Sequence, residues 1–142
     1  MGRTSGSTEV TDLSEDSVVY VDLEDVLMIA DRVTGDVRTM VRDIGLLQSA
    51  VYRPQTRAFG VVVYPGLFEK AAALLQSLSR NHPFIDGNRR TAWLACMMFL
   101  AFNGVRLRVD TDYCESLVVD VATGAVVEIP AIAKALEFLA VR

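Results

Sequence analysis

The residues from His82 to Ala92 (His82-Pro83-Phe84-Ile85-Asp86-Gly87-Asn88-Arg89-Arg90-Thr91-Ala92) concentrate the groups that could do chemistry. They read as a short polar loop followed by the first turn of a helix. A helix start offers unpaired backbone N–H groups and the positive end of a dipole. Gly87 leaves room for an anion to approach, and Asn88 can cap the helix or donate to an oxyanion. Arg89 and Arg90 fall in the first turn, where the helix field opposes a cation. An anion seated between them and the helix end removes that conflict. His82 can take a proton near neutral pH, and Asp86 is a carboxylate able to hold Mg²⁺ together with substrate phosphates. A base, a carboxylate and an anion cradle are the parts that phosphoryl or nucleotidyl transfer requires. Taken singly, each has a plainer reading: a structural histidine, an Asp-Gly-Asn turn, solvated surface arginines. Their conjunction within nine residues favours the chemical one.

The rest of the chain must position this loop. Its 142 residues suit one domain, and 51% hydrophobic content supports a substantial core. The longest apolar run, Ala92 to Phe102, is too short to span a membrane, and the first residues lack the apolar stretch of a signal peptide, so a cytosolic protein is expected. The net charge of −4 argues against direct nucleic-acid binding. Most of that charge lies in residues 1–17, read as a flexible acidic tail whose deletion should be tolerated. The basic residues are nearly all arginine, which suits forks onto phosphate but also follows from codon bias. Cys96 and Cys114 lack metal or disulfide spacing, and Cys96 reads as a core thiol. With one histidine, a multi-histidine metal site is not expected.

Periodicity predicts an all-α compact bundle of about six helices with one or two short extended pieces. Val18–Val21 is a strand candidate. A first helix starts at the N-cap Asp22 and stops at Gly35, and a second covers about Asp43–Tyr52. Arg53–Tyr64 has no helical period, and Val61–Tyr64 suits an extended segment. Pro65 opens a third helix ending near Arg80. The fourth runs from Asn88 to an Asn103-Gly104 cap; being apolar all round in its middle, it is expected to be the central, buried helix. Two more are predicted around Asp112–Val121 and Pro130–Val141.

The segment His82–Arg90 resembles the Fic/Doc family motif, H-x-F-x-[D/E/N]-[G/A]-N-[G/K]-R. Asp43-Ile44-Gly45-Leu46-Leu47, Arg53-Pro54-Gln55, Phe99-Leu100-Ala101-Phe102-Asn103-Gly104 and Ala122-Thr123-Gly124 are also similar to the Doc branch, so that 18–142 reads as one Fic/Doc-like domain with a short hairpin-like flap. The adenylyl-transferring pattern of the family reads G-N-G-R-x-x-R. Here Arg89 replaces the second glycine of that string and Trp93 its last arginine. The Doc branch carries lysine at the first of these positions, and its members with that pattern are kinases.

The resemblance implies a toxin of a toxin–antitoxin pair that transfers the γ-phosphate of ATP to a protein hydroxyl, a threonine of elongation factor Tu, and so stops translation. His82 would be the general base. Asp86 would hold Mg²⁺ or position the nucleophile. Gly87 and Asn88 would form the anion hole, with Arg89 and Arg90 neutralising phosphates. Arg53 and Arg57, in the flap that pairs with an extended target segment, would contact target or nucleotide. An antitoxin whose C-terminal segment folds onto the toxin is the implied partner. Two other readings are a Fic-type AMP transferase, which Arg89 disfavours, and a non-enzymatic binding module, which the intact motif disfavours.

Overall fold

The computed structural model describes residues 15–36 and 40–141. Among them it contains six α-helices: α1 Leu23–Thr34, α2 Ile44–Tyr52, α3 Leu67–Arg80, α4 Asn88–Phe102, α5 Thr111–Thr123 and α6 Ile129–Leu139. Two short antiparallel ribbons complete the fold, β1 (Arg57–Ala58) with β2 (Val61–Val62), and β3 (Arg106–Leu107) with β4 (Ala140–Val141). The all-α expectation holds.

The helices start and stop where local chemistry dictates. Asp22 accepts from the backbone N–H of Asp25 at 2.8 Å, while the Asp25 carboxylate accepts from that of Asp22 at 3.0 Å, a reciprocal cap. Asp43 caps α2 through the Leu46 N–H at 3.1 Å. Pro65 does not open α3 as expected; Gly66 is the N-cap, and its N–H donates to Glu69 Oε1 at 3.0 Å. The last helix ends at Leu139, because the two residues after it leave to pair with β3.

The central helix is α3, not α4. Every residue from Leu67 to Ser79 except Glu69 is buried, with α2, α4, α5 and α6 packed round it. Ala71, Ala72 and Ala73 let those neighbours approach closely. Its polar side chains are buried with partners: Gln76 donates to the Val127 carbonyl at 2.7 Å, Ser77 to Ala73 at 2.8 Å and Ser79 to Leu75 at 2.7 Å. In contrast, α4 contributes Ala92, Ala95, Cys96, Phe99 and Leu100 to the core but leaves Leu94 38% and Phe102 43% exposed. Trp93 and Met98 pack against the core only in part, and Met97 lines a cavity. Cys96 is a core thiol as expected, and burial pushes its pKa up, which makes it unreactive.

Val18–Val21 is not a strand. Instead the Asn103 side chain takes a strand's place: its Oδ1 accepts from Val19 N–H at 2.9 Å and its Nδ2 donates to Val19 O at 2.8 Å. Tyr20 stacks on Phe99 at 5.9 Å.

Residues 1–14 of the expected acidic tail lie outside the described residues, but Glu15 joins the folded body. It begins a single 3-10 turn, and its Oε2 lies 2.6 Å from the Nζ of buried Lys70. Its Oε1 accepts from the Tyr20 hydroxyl at 2.7 Å, and Lys70 Nζ also donates to the Tyr64 carbonyl. No local pattern marks a partner for this acid, because the lysine it meets stands 55 residues away. Partial burial pushes the Glu15 carboxyl upward, but hydrogen bonds from Lys70 and Tyr20 and the charges of Lys70 and Arg57 outweigh this and hold it below its usual value of 4.5.

A carboxyl depressed in the folded state contributes stability above its unfolded pKa and loses it as pH falls through the folded one. Denaturant titrations of wild type should therefore show an acid-side loss below about pH 4.5, and Glu15→Gln should reduce that slope. At neutral pH, Glu15→Ala should cost about 3 kcal/mol, since it leaves a buried ammonium unpaired. Deletion of residues 1–17 should cost at least as much. Glu15→Gln with Lys70→Met should recover most of the loss; strictly additive single and double variants would show that the pair does not interact.

Candidate active site

The connection from α3 to α4 is short and held away from its relaxed shape. His82 has φ 51°, a left-handed conformation that costs a non-glycine residue about 1–2 kcal/mol. Hydrogen bonds from the segment before α2 keep it there. Ile85 N–H donates to Met40 O at 2.7 Å, while Arg42 and Asp43 N–H donate to Pro83 O at 2.8 and 3.2 Å. Val41 and Phe84 form an isolated antiparallel bridge. The Arg42 guanidinium grips the loop's carbonyls: Nε donates to His82 O at 2.8 Å and Nη2 to Asn81 O at 3.1 Å. Pro83 and Phe84 are buried, so the loop is pinned at its middle and the His82 side chain is left exposed.

Asn88 closes the loop from the other side. Its Oδ1 accepts from Phe84 N–H at 3.0 Å and its Nδ2 donates to Phe84 O at 2.8 Å. The side-chain amide thus holds the loop while Asn88 also lines the cavity. The helix start adds backbone donors. The first intrahelical bond of α4 runs from Thr91 N–H to Gly87 O at 2.9 Å, so the N–H groups of Asn88, Arg89 and Arg90 precede the helical ladder. Gly87, at φ 78°, provides no side-chain cap, and a Cβ there would lie 3.0 Å from both Val33 Cγ1 and Thr34 Cγ2. The positive φ favours glycine, and any Cβ there would have to displace those two methyl groups slightly.

His82, Asp86, Gly87, Asn88, Arg89 and Arg90 all line one open cavity of about 1060 Å³. The sequence-predicted motif residues are thus brought together. Arg89 and Arg90 are exposed at the positive end of α4. Asp86 is exposed beside them, one oxygen accepting from Gly87 N–H at 2.8 Å. Among the described residues no group of three or more His, Cys, Asp or Glu side chains is disposed to hold a metal. A single carboxylate facing an anion cradle fits Mg²⁺ shared with substrate phosphates and does not fit a metal caged by protein ligands alone.

The flap is a hairpin turning at Phe59 and Gly60, both at positive φ (53° and 79°), as a two-residue turn of this hand requires. Phe59 stands fully exposed at its tip. Arg53 does not serve the flap's outer surface. Its Nη1 donates to Gln76 Oε1 at 2.8 Å and Ser77 Oγ at 2.9 Å, its Nε donates to the Tyr64 hydroxyl at 3.0 Å, and its guanidinium lies 5.4 Å from the Tyr64 ring centre. It ties the flap base to α3. Arg57 is exposed on the hairpin and donates to Gly60 O at 3.3 Å. Neither arginine lines the cavity. Sequence reading missed Arg42, which no motif spacing marks, and the cavity's far wall, made by α5 and the segment before it.

The family described as Fic/DOC family matches residues 20–100, more than half of the chain. The chain is 53% identical over 106 residues to Toxin Doc of Mycolicibacterium smegmatis, covering 73% of this chain and 81% of that protein. It is 35% identical over 85 residues to Protein kinase doc of Escherichia phage P1, covering 59% of this chain and 65% of that protein. Motif, helical fold and both similarities agree: the chain belongs to the Fic/DOC family, on its Doc branch.

Proposed function

We propose that this chain is a phosphotransferase that moves the γ-phosphate of ATP onto a hydroxyl of a protein, and that it is the toxin of a toxin–antitoxin pair acting in the cytoplasm. The observation that carries the reading is the convergence, in one cavity, of His82, Asp86 and two arginines on the open amino end of α4. The printed names of the two relatives, a toxin and a protein kinase, support it. No helix among the described residues is long and apolar enough to cross a membrane, which is compatible with that location.

In the proposed reaction His82 accepts the proton of the target hydroxyl as its oxygen attacks the γ-phosphorus. The bond from that phosphorus to the β–γ bridging oxygen breaks, and ADP leaves. Arg89, Arg90 and the free N–H groups of α4 meet the negative charge on the phosphates. Asp86 is the residue that would hold Mg²⁺, which supplies further charge neutralisation when bound. Arg89 stands where the adenylyl-transferring pattern has glycine, and its side chain fills space at the helix end. That favours placing the terminal phosphate beside His82. A threonine of elongation factor Tu is the target that the resemblance implies, and an antitoxin segment folding over the cavity is the implied regulator.

Incubation of the purified chain with elongation factor Tu and Mg²⁺, with ATP labelled at the α or the γ position, should put only γ label on protein. Transfer of α label would establish nucleotidyl transfer instead. His82→Ala should lower transfer at least a hundredfold, and His82→Asn likewise, with asparagine better suited to the left-handed backbone. Arg89→Gly should lower γ transfer about a hundredfold; unchanged activity would reduce Arg89 to surface charge.

Arg42→Ala tests the support of the base. Transfer should fall roughly ten- to a hundredfold through misplacement of His82, while denaturant titration shows a loss of only about 1 kcal/mol. Full activity would mean that the loop holds without that grip.

A further inference from the structure

The hairpin β1–β2 has no packing of its own to hold it in place. From Arg57 to Val63 no side chain is buried, and a two-stranded ribbon this short has little independent stability. Its direction must be set at its base. Arg53 fixes the side where the chain enters, through Gln76, Ser77 and the Tyr64 hydroxyl. The side where it leaves is fixed at the Tyr64 carbonyl, which accepts from Lys70 Nζ. Lys70 is fully buried, and an ammonium stays charged at that depth only with an anion beside it. Glu15 Oε2, 2.6 Å away, is that anion, and the Tyr20 hydroxyl holds the acid's other oxygen at 2.7 Å. Arg57, on β1 itself, is near enough for its charge to help lower the Glu15 carboxyl. The family match begins at residue 20, so the lysine lies inside the matched region and the acid that neutralises it lies before it.

We propose that Glu15 is a positioning residue for the flap: it keeps the Lys70 ammonium on the Tyr64 carbonyl and so sets the angle at which the hairpin meets a protein target. The hold on the hairpin stands on this geometry alone; its consequence for a target rests on the phosphoryl-transfer reading above. With Glu15 neutral or absent, the buried ammonium loses its counter-charge and is drawn toward water. The Tyr64 carbonyl then loses its donor, and the exit strand is released while Arg53 still holds the entry. The amino-terminal turn is thereby a latch on one side of the flap's hinge.

Stability and flap position can be separated, because Glu15→Gln with Lys70→Met removes the buried charge and the carbonyl's donor together. In that double variant, hydrogen exchange over residues 56–64, where Val63 N–H donates to Thr56 O at 3.0 Å, should be about tenfold faster than in wild type, with α3 and α6 unchanged. Trypsin should likewise cut after exposed Arg57 about tenfold faster. A purely structural ion pair predicts the opposite, wild-type protection of the hairpin once stability is recovered, and that result would overturn the proposal. In transfer from γ-labelled ATP to elongation factor Tu, the double variant should raise KM for the protein about tenfold and leave kcat and KM for ATP within about twofold. A fall in kcat with both KM values unchanged would also overturn it. Absence of transfer by the wild type would overturn the phosphoryl-transfer reading and leave exchange and proteolysis to decide the latch. Glu15→Gln alone, which keeps an acceptor for Tyr20 but not the charge, should show part of the same exchange increase, so the question is decided even if the double variant fails to fold.

Discussion

A histidine whose backbone is left-handed faces the cavity because a guanidinium from another part of the chain holds the carbonyl behind it. Arg42 bonds the carbonyls of Asn81 and His82, and the backbone of residues 40–43 pairs with the loop's next turn. Without those bonds, nothing in the loop's own sequence opposes relaxation of His82 toward negative φ. The geometry of the loop is thus non-local. A segment 40 residues earlier in the chain supplies it, and Phe84 anchors it in the core.

Asparagine performs the same task at both ends of α4. Asn88 clamps both backbone groups of Phe84, and Asn103 clamps both of Val19. In each case a side-chain amide bonds both backbone groups of an extended residue that belongs to no sheet. The flap base is fixed by comparable means. The carbonyl of Tyr64 takes the Lys70 ammonium and its hydroxyl takes Arg53, so both ends of one residue are tied to α3 or its neighbour. Glu15 completes that set by neutralising Lys70. The central helix therefore reaches the flap base and the amino-terminal turn through Lys70, Gln76 and Ser77, which are buried with their partners.

Legibility in the sequence followed the range of the interactions. Helix starts at Asp22, Asp43 and Asn88 and stops at Gly35, Gly104 and Gly124 depend on nearest neighbours, and were readable. The motif residues were readable because seven lie in one loop and turn. Which helix is central was not readable from hydrophobicity, since α4 carries apolar residues for its cavity and surface while α3 hides lysine, glutamine and serine behind distant partners. The tie from Arg53 to α3 was hidden for the same reason: its acceptors Gln76 and Ser77 are more than twenty residues away. Val18–Val21 has strand composition, but no strand lies alongside it for pairing.

Arg89 and Arg90 bear on the direction of any transfer at this site. A cation in the first turn of a helix opposes the helix field by about 0.3–1 kcal/mol, and two adjacent guanidiniums repel one another as well. Asp86 offsets only part of this, since one of its oxygens is bonded to the Gly87 N–H. The folded chain alone gains nothing from this arrangement, whereas a polyanion repays it at once. The guanidinium at 89 also occupies volume that glycine would leave open at the helix end. Open space at the helix end then lies on the cavity side, which both arginines and His82 line. One side chain thereby both adds positive charge to the amino end of α4 and narrows the open space beside it.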